Sequence, residues 1–315
     1  RLSSPSRTGS ARANPAGMSA MMATGRGVAA VAQNYMYNAH KVRMNRMFRA
    51  SGKCLDVAID HGVFNEAGFL SGLEDMGVVV GAPVAAGPDA IQMNFGQCDV
   101  LQSLPGKDKP ALVMRTDAGN PYNPQTHRVM FNVLACEDDP VLPAVRMDAA
   151  CVVANLLLLP GEPDLHRQTI ANISRLRPLC EKYVMPLMIE PLVMRPNEER
   201  GGYQANGDKK LVVALVRQAR ELGADIIKAD PTDFPEDYHE VVQAARCPVL
   251  VRGGGKESIE KVFQTASAYL QQGAHGLVYG RNIYQHPNPA RIVRAFLGLI
   301  HEGISAQQAW EIYSA

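Results

Sequence analysis

Eight short apolar runs, separated by segments of helical periodicity, constrain the fold of this chain more than any other feature. Most of the runs are nearly continuous and rich in Val, Ile and Leu, as expected of strands that are buried on both faces. We predict strands over eight segments: Leu55–Asp60, Ala90–Met93, Ala111–Arg115, Cys151–Leu158, Leu187–Leu192, Asp225–Lys228, Val249–Arg252 and Gly276–Tyr279. The regular alternation of strand and helix predicts an α/β fold.

Helical periodicity is clearest in the second half of the chain. We predict helices over Leu165–Tyr183, Lys209–Leu222, Glu236–Ala245, Ile259–Gln272 and Pro289–Glu302, and a short capping helix over Met44–Phe48. Gly223, Gly273 and Gly303 fall at or just past helix ends, where a residue with left-handed backbone is favoured. The polar, Gly-rich segment Asn197–Gly207 is predicted to be a loop that covers the site or contacts a partner.

Strand–helix units that repeat in this way fit a single (β/α)8 TIM barrel. A doubly wound sheet is the alternative fold, and it would place a Gly-rich fingerprint after its first strand. In this chain the Gly-rich signals follow the seventh and eighth predicted strands. The barrel is therefore favoured, and its active-site residues are expected at the C-terminal ends of the strands.

Composition narrows the possible functions. The formal net charge of the 315-residue chain is +1, which gives no overall field for nucleic acid. No apolar run reaches the length of about 20 residues that a transmembrane helix needs. The six cysteines are scattered without a C-x-x-C pair, which favours reduced thiols over a disulfide frame or a zinc site. We expect a cytoplasmic protein that binds neither nucleic acid nor a membrane.

The N-terminal segment differs in composition from the rest of the chain. No Asp or Glu precedes Asp56, and Ser, Ala and Gly are frequent up to about residue 33. This composition resembles an organelle transit peptide, so import into an organelle stays open; a flexible tail, or a non-native remnant over residues 1–17, is the alternative. We predict a flexible basic tail over residues 1–33 and one barrel domain over residues 34–315.

A lysine ends the sixth predicted strand. Lys228 follows the apolar pair Ile226-Ile227, and apolar neighbours disfavour the charged ammonium form of an amine. In a fraction of the molecules such an amine is neutral. The neutral amine is a nucleophile that can condense with a ketone or an aldehyde to form a Schiff base. The alternative is a lysine that only forms an ion pair with Asp60 or Glu190.

Two carboxylates at strand ends are candidates for proton transfer. Asp60 ends the first predicted strand, and Glu190 lies in the fifth. Schiff-base chemistry moves protons to and from the carbinolamine, and cleavage of a neighbouring C–C bond needs a base for a hydroxyl group. The alternatives are a structural hydrogen bond or a helix cap for Asp60, and an ion pair with Arg115 or Lys228 for Glu190.

Glycines and arginines after the last two strands predict an anion site. The seventh strand ends in Arg252-Gly253-Gly254-Gly255-Lys256, and Gly280-Arg281 follows the eighth. Consecutive glycines allow backbone N–H groups to face an anion, and this part of a barrel is the usual phosphate site. Arg115, at the end of the third strand, is a further candidate for substrate binding. The alternative is that the glycines only make tight turns.

No metal site is expected. Asp230 and Asp233 could attract a cation, but no His cluster has the spacing of metal ligands.

Taken together, these residues resemble the class I aldolases of the DeoC/LacD superfamily, especially the archaeal-type fructose-bisphosphate aldolases and the related autoinducer-2 thiolases. The similarity covers roughly residues 44–315. It rests on four segments in order: Ala58-Ile59-Asp60-His61-Gly62, Ile226-Ile227-Lys228, Gly253-Gly254-Gly255-Lys256 and Gly280-Arg281-Asn282-Ile283-Tyr284-Gln285.

The resemblance implies a (β/α)8 barrel in which Lys228 forms the Schiff base and Asp60 transfers protons. It implies that the glycines before Lys256 and Arg281 hold a substrate phosphate, that several copies assemble into a homo-oligomer, and that no cofactor is needed because the iminium accepts the electrons. One position departs from the archaeal-type branch, where the fifth strand supplies a Tyr as acid/base. Leu192 occupies that position here, and Glu190-Pro191-Leu192 is more similar to tagatose-bisphosphate and sulfosugar-phosphate aldolases.

The sequence thus predicts a metal-independent class I aldolase that acts on a phosphorylated ketose or a related sugar phosphate. One alternative is thiolase-type acyl transfer from a phosphorylated diketone by the same lysine. Another is a phosphate-binding barrel without catalytic activity. The sequence leaves open the sugar, its stereochemistry and the choice between phosphate and sulfonate.

Overall fold

The computed structural model describes residues 42–123, 129–255 and 257–315. The predicted tail over residues 1–33 and Lys256 lie outside the described residues.

Eight parallel strands, called the first to the eighth barrel strand, lie at or near the predicted positions: Cys54–Ala58, Ala90–Asn94, Ala111–Arg115, Cys151–Leu158, Leu187–Pro196, Ile226–Ala229, Val249–Arg252 and Gly276–Tyr279. Each strand pairs with the next in the chain, and the eighth pairs with the first. The fold is a closed (β/α)8 barrel, as predicted.

Helices connect the strands on the outside of the barrel. The α-helices are Ala67–Leu70, Met76–Val84, Cys98–Gln102, Leu142–Arg146, Pro163–Tyr183, Lys209–Glu221, Tyr238–Ala245, Ile259–Gln271, Arg281–Tyr284, Pro289–Leu297 and Ala306–Ser314, with short helical turns at His61–Phe64, Pro235–Asp237 and Gly298–Glu302. The predicted cap of the helix at Ile259 is present, since the Ser258 side chain accepts a hydrogen bond from the N–H of Lys261. None of the helices in the described ranges is long and apolar enough to cross a membrane.

The core has two layers because side chains alternate along each strand. Outward-facing residues such as Leu55 and Val57 pack against the helices. Inward-facing residues such as Cys54 and Ala58 form a separate cluster inside the barrel. This interior cluster consists largely of small and branched apolar side chains. Polar residues lie instead at the C-terminal ends of the strands.

The segment before the first strand closes the barrel from below. Met47 is buried in the interior cluster, and Met44 and Phe48 pack against it. Arg43 Nη1 donates a hydrogen bond of 2.8 Å to the backbone oxygen of Ala149, which precedes the fourth strand. The predicted helix over Met44–Phe48 is wrong in detail, because residues 45–47 form turns. The segment still supplies the apolar cap that the prediction required.

Two additions extend over the mouth of the barrel, which we define as the C-terminal ends of its strands. Strands Asp117–Gly119 and Asn132–Leu134 pair antiparallel after the third barrel strand. Tyr203–Ala205 pairs antiparallel with the end of the fifth. The segment Asn197–Gly207, predicted as a loop, therefore contains a strand. The two additions touch, since the N–H of Tyr203 donates to the backbone oxygen of Pro121 at 3.0 Å.

Candidate active site

A cavity at the mouth of the barrel gathers most of the predicted site residues. They come from strands that are distant in sequence but end at the same edge of the closed sheet. The predicted residues that line it are Asp60, Glu190, Lys228, Arg252, Gly253, Gly254, Gly280 and Arg281. Gly255 lines an adjoining cavity of about 260 Å³ instead, which also touches Arg252 and Gly254. Arg115 lines neither.

Lys228 is buried in the wall of this cavity. Its Nζ atom lies 3.0 Å from Glu190 Oε1 and donates a longer hydrogen bond, of 3.4 Å, to Gln92 Oε1. The strand around Lys228 is apolar, as predicted, but the amine itself contacts polar groups. The Glu190 carboxylate is therefore the group in direct contact with the Lys228 amine.

Arg115 connects three carboxylates beneath the cavity. Its Nε donates to Asp60, its Nη2 to Glu190, and its Nη1 to Asp117 Oδ1 at 3.0 Å. The side chain is 1% exposed, and every nitrogen of the guanidinium has a carboxylate partner. Because Arg115 is buried among these carboxylates and lines neither cavity, we assign it a positioning role in place of the predicted role in substrate binding.

These charges hold the neighbouring carboxylates ionised. Burial alone would raise the pKa of Asp60, but the charges of Arg115 and Lys228 outweigh it and keep that pKa well below its usual range. Burial likewise opposes the ionisation of Glu190, yet Lys228 and Arg115 lower its pKa. Both candidate proton-transfer residues are therefore carboxylates at neutral pH.

Gln92 links the lysine to Asp60. Its amide nitrogen donates to Asp60 Oδ2 at 2.6 Å, and its amide oxygen accepts from Lys228. Gln92 is fully buried in the second barrel strand. The sequence reasoning did not select Gln92, although a glutamine inside an apolar strand, two residues from the strand's end, is a signal that could have found it.

Two arginines make one side of the cavity cationic. Arg252 Nε donates to Asp230 Oδ1 at 2.6 Å, and this pair keeps Arg252 charged although it is largely buried. The guanidinium of Arg281 lies 4.7 Å from the ring centre of Phe69. Burial, aided by the charge of Arg252, lowers the pKa of Arg281. An anion between the two arginines would relieve their repulsion.

The glycines of this region fall into two groups that differ in the space around them. A Cβ on Gly253 would lie 2.1 Å from the Tyr279 ring, and one on Gly280 would lie 2.5 Å from the backbone oxygen of Ala58. Gly254 and Gly255 have no atom within 4 Å of such a Cβ, and neither has positive φ. Close packing thus explains Gly253 and Gly280, whereas neither packing nor backbone conformation accounts for glycine at positions 254 and 255.

An aromatic wall that the sequence reasoning missed completes the cavity. Tyr122 packs edge-to-face with Phe64 and Phe69, with ring centres 5.2 and 5.3 Å apart. Burial raises the pKa of Tyr122 to about 12, against the opposing effect of Arg252, so its hydroxyl stays protonated. Tyr122 belongs to the addition after the third strand, where no regular sequence pattern marks it as a site residue.

His61 is a structural residue of this wall. Its ring packs edge-to-face against Phe69 and Tyr284, with ring centres 5.5 and 5.4 Å apart. Burial lowers the pKa of His61 to about 4, although the charge of Asp60 acts in the opposite direction. The imidazole is neutral at physiological pH.

No group of three or more His, Cys, Asp or Glu side chains in the described part of the chain has the arrangement of a metal site. Asp230, which the sequence suggested as a possible cation ligand, is paired with Arg252.

The sequence comparisons match this chain to an aldolase family, to an aldolase and to a thiolase. The model of the DeoC/LacD aldolase family matches residues 54–286. An uncharacterised aldolase of Saccharolobus solfataricus is 30% identical over 274 residues, which are 86% of this chain and 98% of that protein. A 3-hydroxy-5-phosphonooxypentane-2,4-dione thiolase of Klebsiella pneumoniae is 27% identical over 274 residues, which are 86% of this chain and 84% of that protein.

Solved structures agree with these sequence matches. An archaeal fructose 1,6-bisphosphate aldolase superposes with a TM-score of 0.69 at 25% identity, covering 84% of this chain and all of that one. A second archaeal fructose-1,6-bisphosphate aldolase, whose catalytic Lys is covalently bound to the carbinolamine intermediate of its substrate, superposes with a TM-score of 0.68 at 25% identity, covering 84% of this chain and 99% of that one.

Proposed function

The chain belongs to the DeoC/LacD aldolase family, and on this basis we propose that it is a metal-independent class I aldolase acting on a phosphorylated ketose or a related sugar phosphate. The observation that carries the proposal is the buried amine of Lys228, held 3.0 Å from a carboxylate at the mouth of the barrel. A buried lysine beside a carboxylate at the mouth of a barrel is placed to attack a carbonyl group.

The reaction begins when Nζ of Lys228 loses a proton. Glu190 is the carboxylate in contact with Nζ, so we assign it the proton transfers at nitrogen. The neutral amine attacks the substrate carbonyl and forms a carbinolamine, which loses water to give an iminium ion. Arg115 fixes the orientation of Glu190 through the second carboxylate oxygen, so the same carboxylate can serve both steps.

Cleavage then requires a base at the hydroxyl group beyond the scissile bond. Asp60 lines the cavity and is ionised, and we assign this step to it. As the hydroxyl loses its proton, the C–C bond breaks and its electrons move into the iminium, which becomes an enamine. The aldehyde product leaves. Protonation of the enamine carbon and hydrolysis then release the second product and restore Lys228.

The substrate phosphate is assigned to the side of the cavity where Arg252 and Arg281 lie. The backbone N–H groups of Gly254 and Gly255 donate to no protein acceptor in the described ranges, and the space around these two glycines is open. Arginine side chains and free backbone N–H groups are the donors that phosphate and sulfonate oxygens accept from. The site therefore favours a tetrahedral oxyanion at one end of the substrate.

Thiolase-type acyl transfer is the second candidate, and the thiolases among the relatives favour it. Lys228 would attack a phosphorylated diketone, and a thiol would accept the acyl group. Coenzyme A dependence separates the two reactions: an aldolase turns over without it, whereas a thiolase does not.

Borohydride trapping tests the proposal. We expect reduction in the presence of a panel of sugar phosphates to add the mass of one ligand to the peptide that contains Lys228. Lys228→Met should abolish this mass increase while the far-UV spectrum and the thermal midpoint stay close to those of the wild type. An unmodified Lys228 under saturating concentrations of every ketose phosphate tested would reject the aldolase. The thiolase, tested with a phosphorylated diketone and coenzyme A, and a non-catalytic phosphate-binding barrel would then remain.

The remaining expectations stay predictions. We propose that residues 34–315 form one catalytic domain, that several copies assemble into a homo-oligomer, and that the protein works in the cytoplasm.

A further inference from the structure

Three polar side chains at the N-terminal ends of the barrel strands form a hydrogen-bonded chain that the proposed reaction does not use. Ser51 precedes the first barrel strand, Asp89 precedes the second, and His301 lies in the helical turn Gly298–Glu302. Ser51 Oγ lies 2.8 Å from His301 Nδ1, and His301 Nε2 lies 2.8 Å from Asp89 Oδ2. The three residues thus meet at the end of the barrel opposite to Lys228.

Asp89 is held rigidly and orients the imidazole. Its Oδ2 also accepts a hydrogen bond of 2.7 Å from the N–H of Leu55, and its Oδ1 accepts from Arg49 Nε. The carboxylate is buried, so these contacts fix its position. Because an ionised carboxylate only accepts hydrogen bonds, His301 Nε2 carries the hydrogen, and the neutral ring keeps its lone pair on Nδ1.

The Ser51 hydroxyl faces this lone pair and can donate its hydrogen to it. The N–H of Lys53 donates a hydrogen bond of 3.3 Å to Ser51 Oγ, which leaves the hydroxyl hydrogen for His301. Ser51 is exposed, and a Cβ on the neighbouring Gly52 would have no atom within 4 Å. A serine that is open to reagents and can pass its proton to an imidazole oriented by a carboxylate has the arrangement of an activated nucleophile.

We infer that Ser51 is a second nucleophile of this protein, activated by His301, and that it accepts the acyl group of small activated esters. Ser51 Oγ bonds to the carbonyl carbon while its proton passes to His301 Nδ1. The bond from that carbon to the leaving oxygen breaks, and His301 returns the proton to the alcohol that leaves. Water then attacks the acyl serine by the same proton path, which releases the acid and restores Ser51.

The backbone around Ser51 limits the class of substrate. The N–H of Ser51 donates to no acceptor within the described ranges, so it is available to an oxyanion on the reacting carbonyl group. One backbone donor supplies only part of the stabilisation that a complete oxyanion hole gives. Esters with a good leaving group are therefore expected to react, whereas amides are not.

The first test uses a fluorophosphonate probe on the full-length wild-type chain. An activated serine displaces the fluoride, and mass spectrometry measures the rate at which each serine peptide gains the phosphonyl group. We expect Ser51 to be labelled about 10²-fold faster than Ser103, an exposed serine whose hydroxyl donates only to the backbone oxygen of Val100. Equal labelling of the two serines, or no labelling of Ser51, would overturn the inference.

Substitutions along the hydrogen-bonded chain separate activation from a structural role. His301→Gln should slow the labelling of Ser51 about 10²- to 10⁴-fold, because an amide cannot take up the proton. Asp89→Asn should slow it as well, whereas a merely structural contact would lower the thermal midpoint and leave the rate of the folded protein unchanged. His239→Gln, at an exposed histidine, is the matched control. A wild-type rate in folded His301→Gln would contradict the assigned role of the imidazole.

The last test shows that the two nucleophiles act independently. Hydrolysis of p-nitrophenyl acetate should be about tenfold slower or more in Ser51→Ala and should persist in Lys228→Met. Ser51→Ala should still form the borohydride-trapped adduct at Lys228. Hydrolysis that persists in Ser51→Ala and is lost in Lys228→Met would assign the ester cleavage to the amine and reject Ser51 as the nucleophile.

Discussion

Lys228 and Glu190 form a buried ion pair with a separation of 3.0 Å between Nζ and Oε1. The second oxygen of Glu190 accepts a hydrogen bond from Arg115, so the carboxylate cannot rotate away from the amine. The amine that we propose as the nucleophile therefore lies next to a carboxylate that can exchange a proton with it. Burial of the pair, with 5% and 4% of the two side chains exposed, keeps bulk water from competing for it.

Replacing Glu190 by Gln should slow the formation of the Lys228 adduct about 10²- to 10⁴-fold, the usual contribution of a positioned acid/base group. The amide keeps the size of the side chain but cannot accept the proton. The measurement is the single-turnover rate of borohydride-trapped adduct with dihydroxyacetone phosphate. Glu198→Gln, at an exposed position of the same segment of chain, should have no effect. A wild-type rate in Glu190→Gln would assign the proton transfers to another group.

Replacing Arg115 by Met should lower the free energy of unfolding by about 3–5 kcal/mol, because it leaves buried carboxylates without their cation. Urea denaturation followed by circular dichroism measures the loss. Arg217→Met is the matched control. It breaks an exposed pair with Glu221, whose side chains are 57% and 65% exposed, and should change stability by less than about 1 kcal/mol. Equal effects of the two substitutions would contradict the role assigned to Arg115.

The barrel could be predicted from the sequence because each of its strands is a separate apolar run and because the Gly-rich segments follow the last two strands, where a doubly wound sheet would not place them. The addition that contains Tyr203–Ala205 could not, because its polar and Gly-rich sequence has no strand periodicity. It pairs with the last residues of the fifth strand, which extend beyond the barrel. The same holds for Asn132–Leu134, which is a strand only because Asp117–Gly119 lies beside it.

Acid should destabilise the protein through His61. The pKa of this buried imidazole is lowered to about 4 in the folded state from a reference value of 6.5. The unfolded chain therefore binds more protons between these values, and stability falls as pH decreases from about 6.5 to about 4. The loss is on the order of 3 kcal/mol. His61→Phe should reduce the slope of unfolding free energy against pH in this window. An unchanged slope would show that folding does not lower the pKa of His61.

Replacing Arg281 by Met should weaken binding of a phosphorylated probe about 10- to 100-fold, the value of one or two hydrogen bonds to a charged group. Arg281 is a better test than Arg252, because no carboxylate among residues 42–123, 129–255 and 257–315 loses an ion-pair partner when Arg281 is removed. The measurement compares half-saturation of trapping for dihydroxyacetone phosphate and dihydroxyacetone. Arg294→Met, at an exposed position, is the control. Equal losses for both probes would place the phosphate elsewhere.

Replacing Tyr122 by Phe should leave adduct formation at Lys228 within about twofold of the wild type but slow a later step by tenfold or more, if the hydroxyl donates to a substrate oxygen during cleavage. The ring packing against Phe64 and Phe69 is retained in this variant, so stability should hardly change. The ratio of trapping rate to product formation is the measurement. An unchanged ratio would limit Tyr122 to shaping the cavity.

The convergence of Lys228, Gly254 and Arg281 on one cavity could be predicted because all three lie at strand ends, where a barrel places its chemistry. Arg115 satisfied the same rule, but only the structure shows that each of its guanidinium nitrogens contacts a carboxylate. Gln92 lies deeper in its strand. Its contacts with Lys228 and Asp60 depend on which atoms face each other across the barrel, and a single sequence does not contain that information.

The three carboxylates around Arg115 also limit how this site can diverge. Asp60 comes from the first strand, Asp117 from just after the third and Glu190 from the fifth, and all three depend on one guanidinium. A substitution at any of the four positions leaves the others electrostatically mismatched, so variants that survive selection should change them together or not at all. Substrate preference is freer to vary in the additions that carry Tyr122 and Tyr203. Libraries that seek new substrates should randomise those segments and keep the four charged residues fixed.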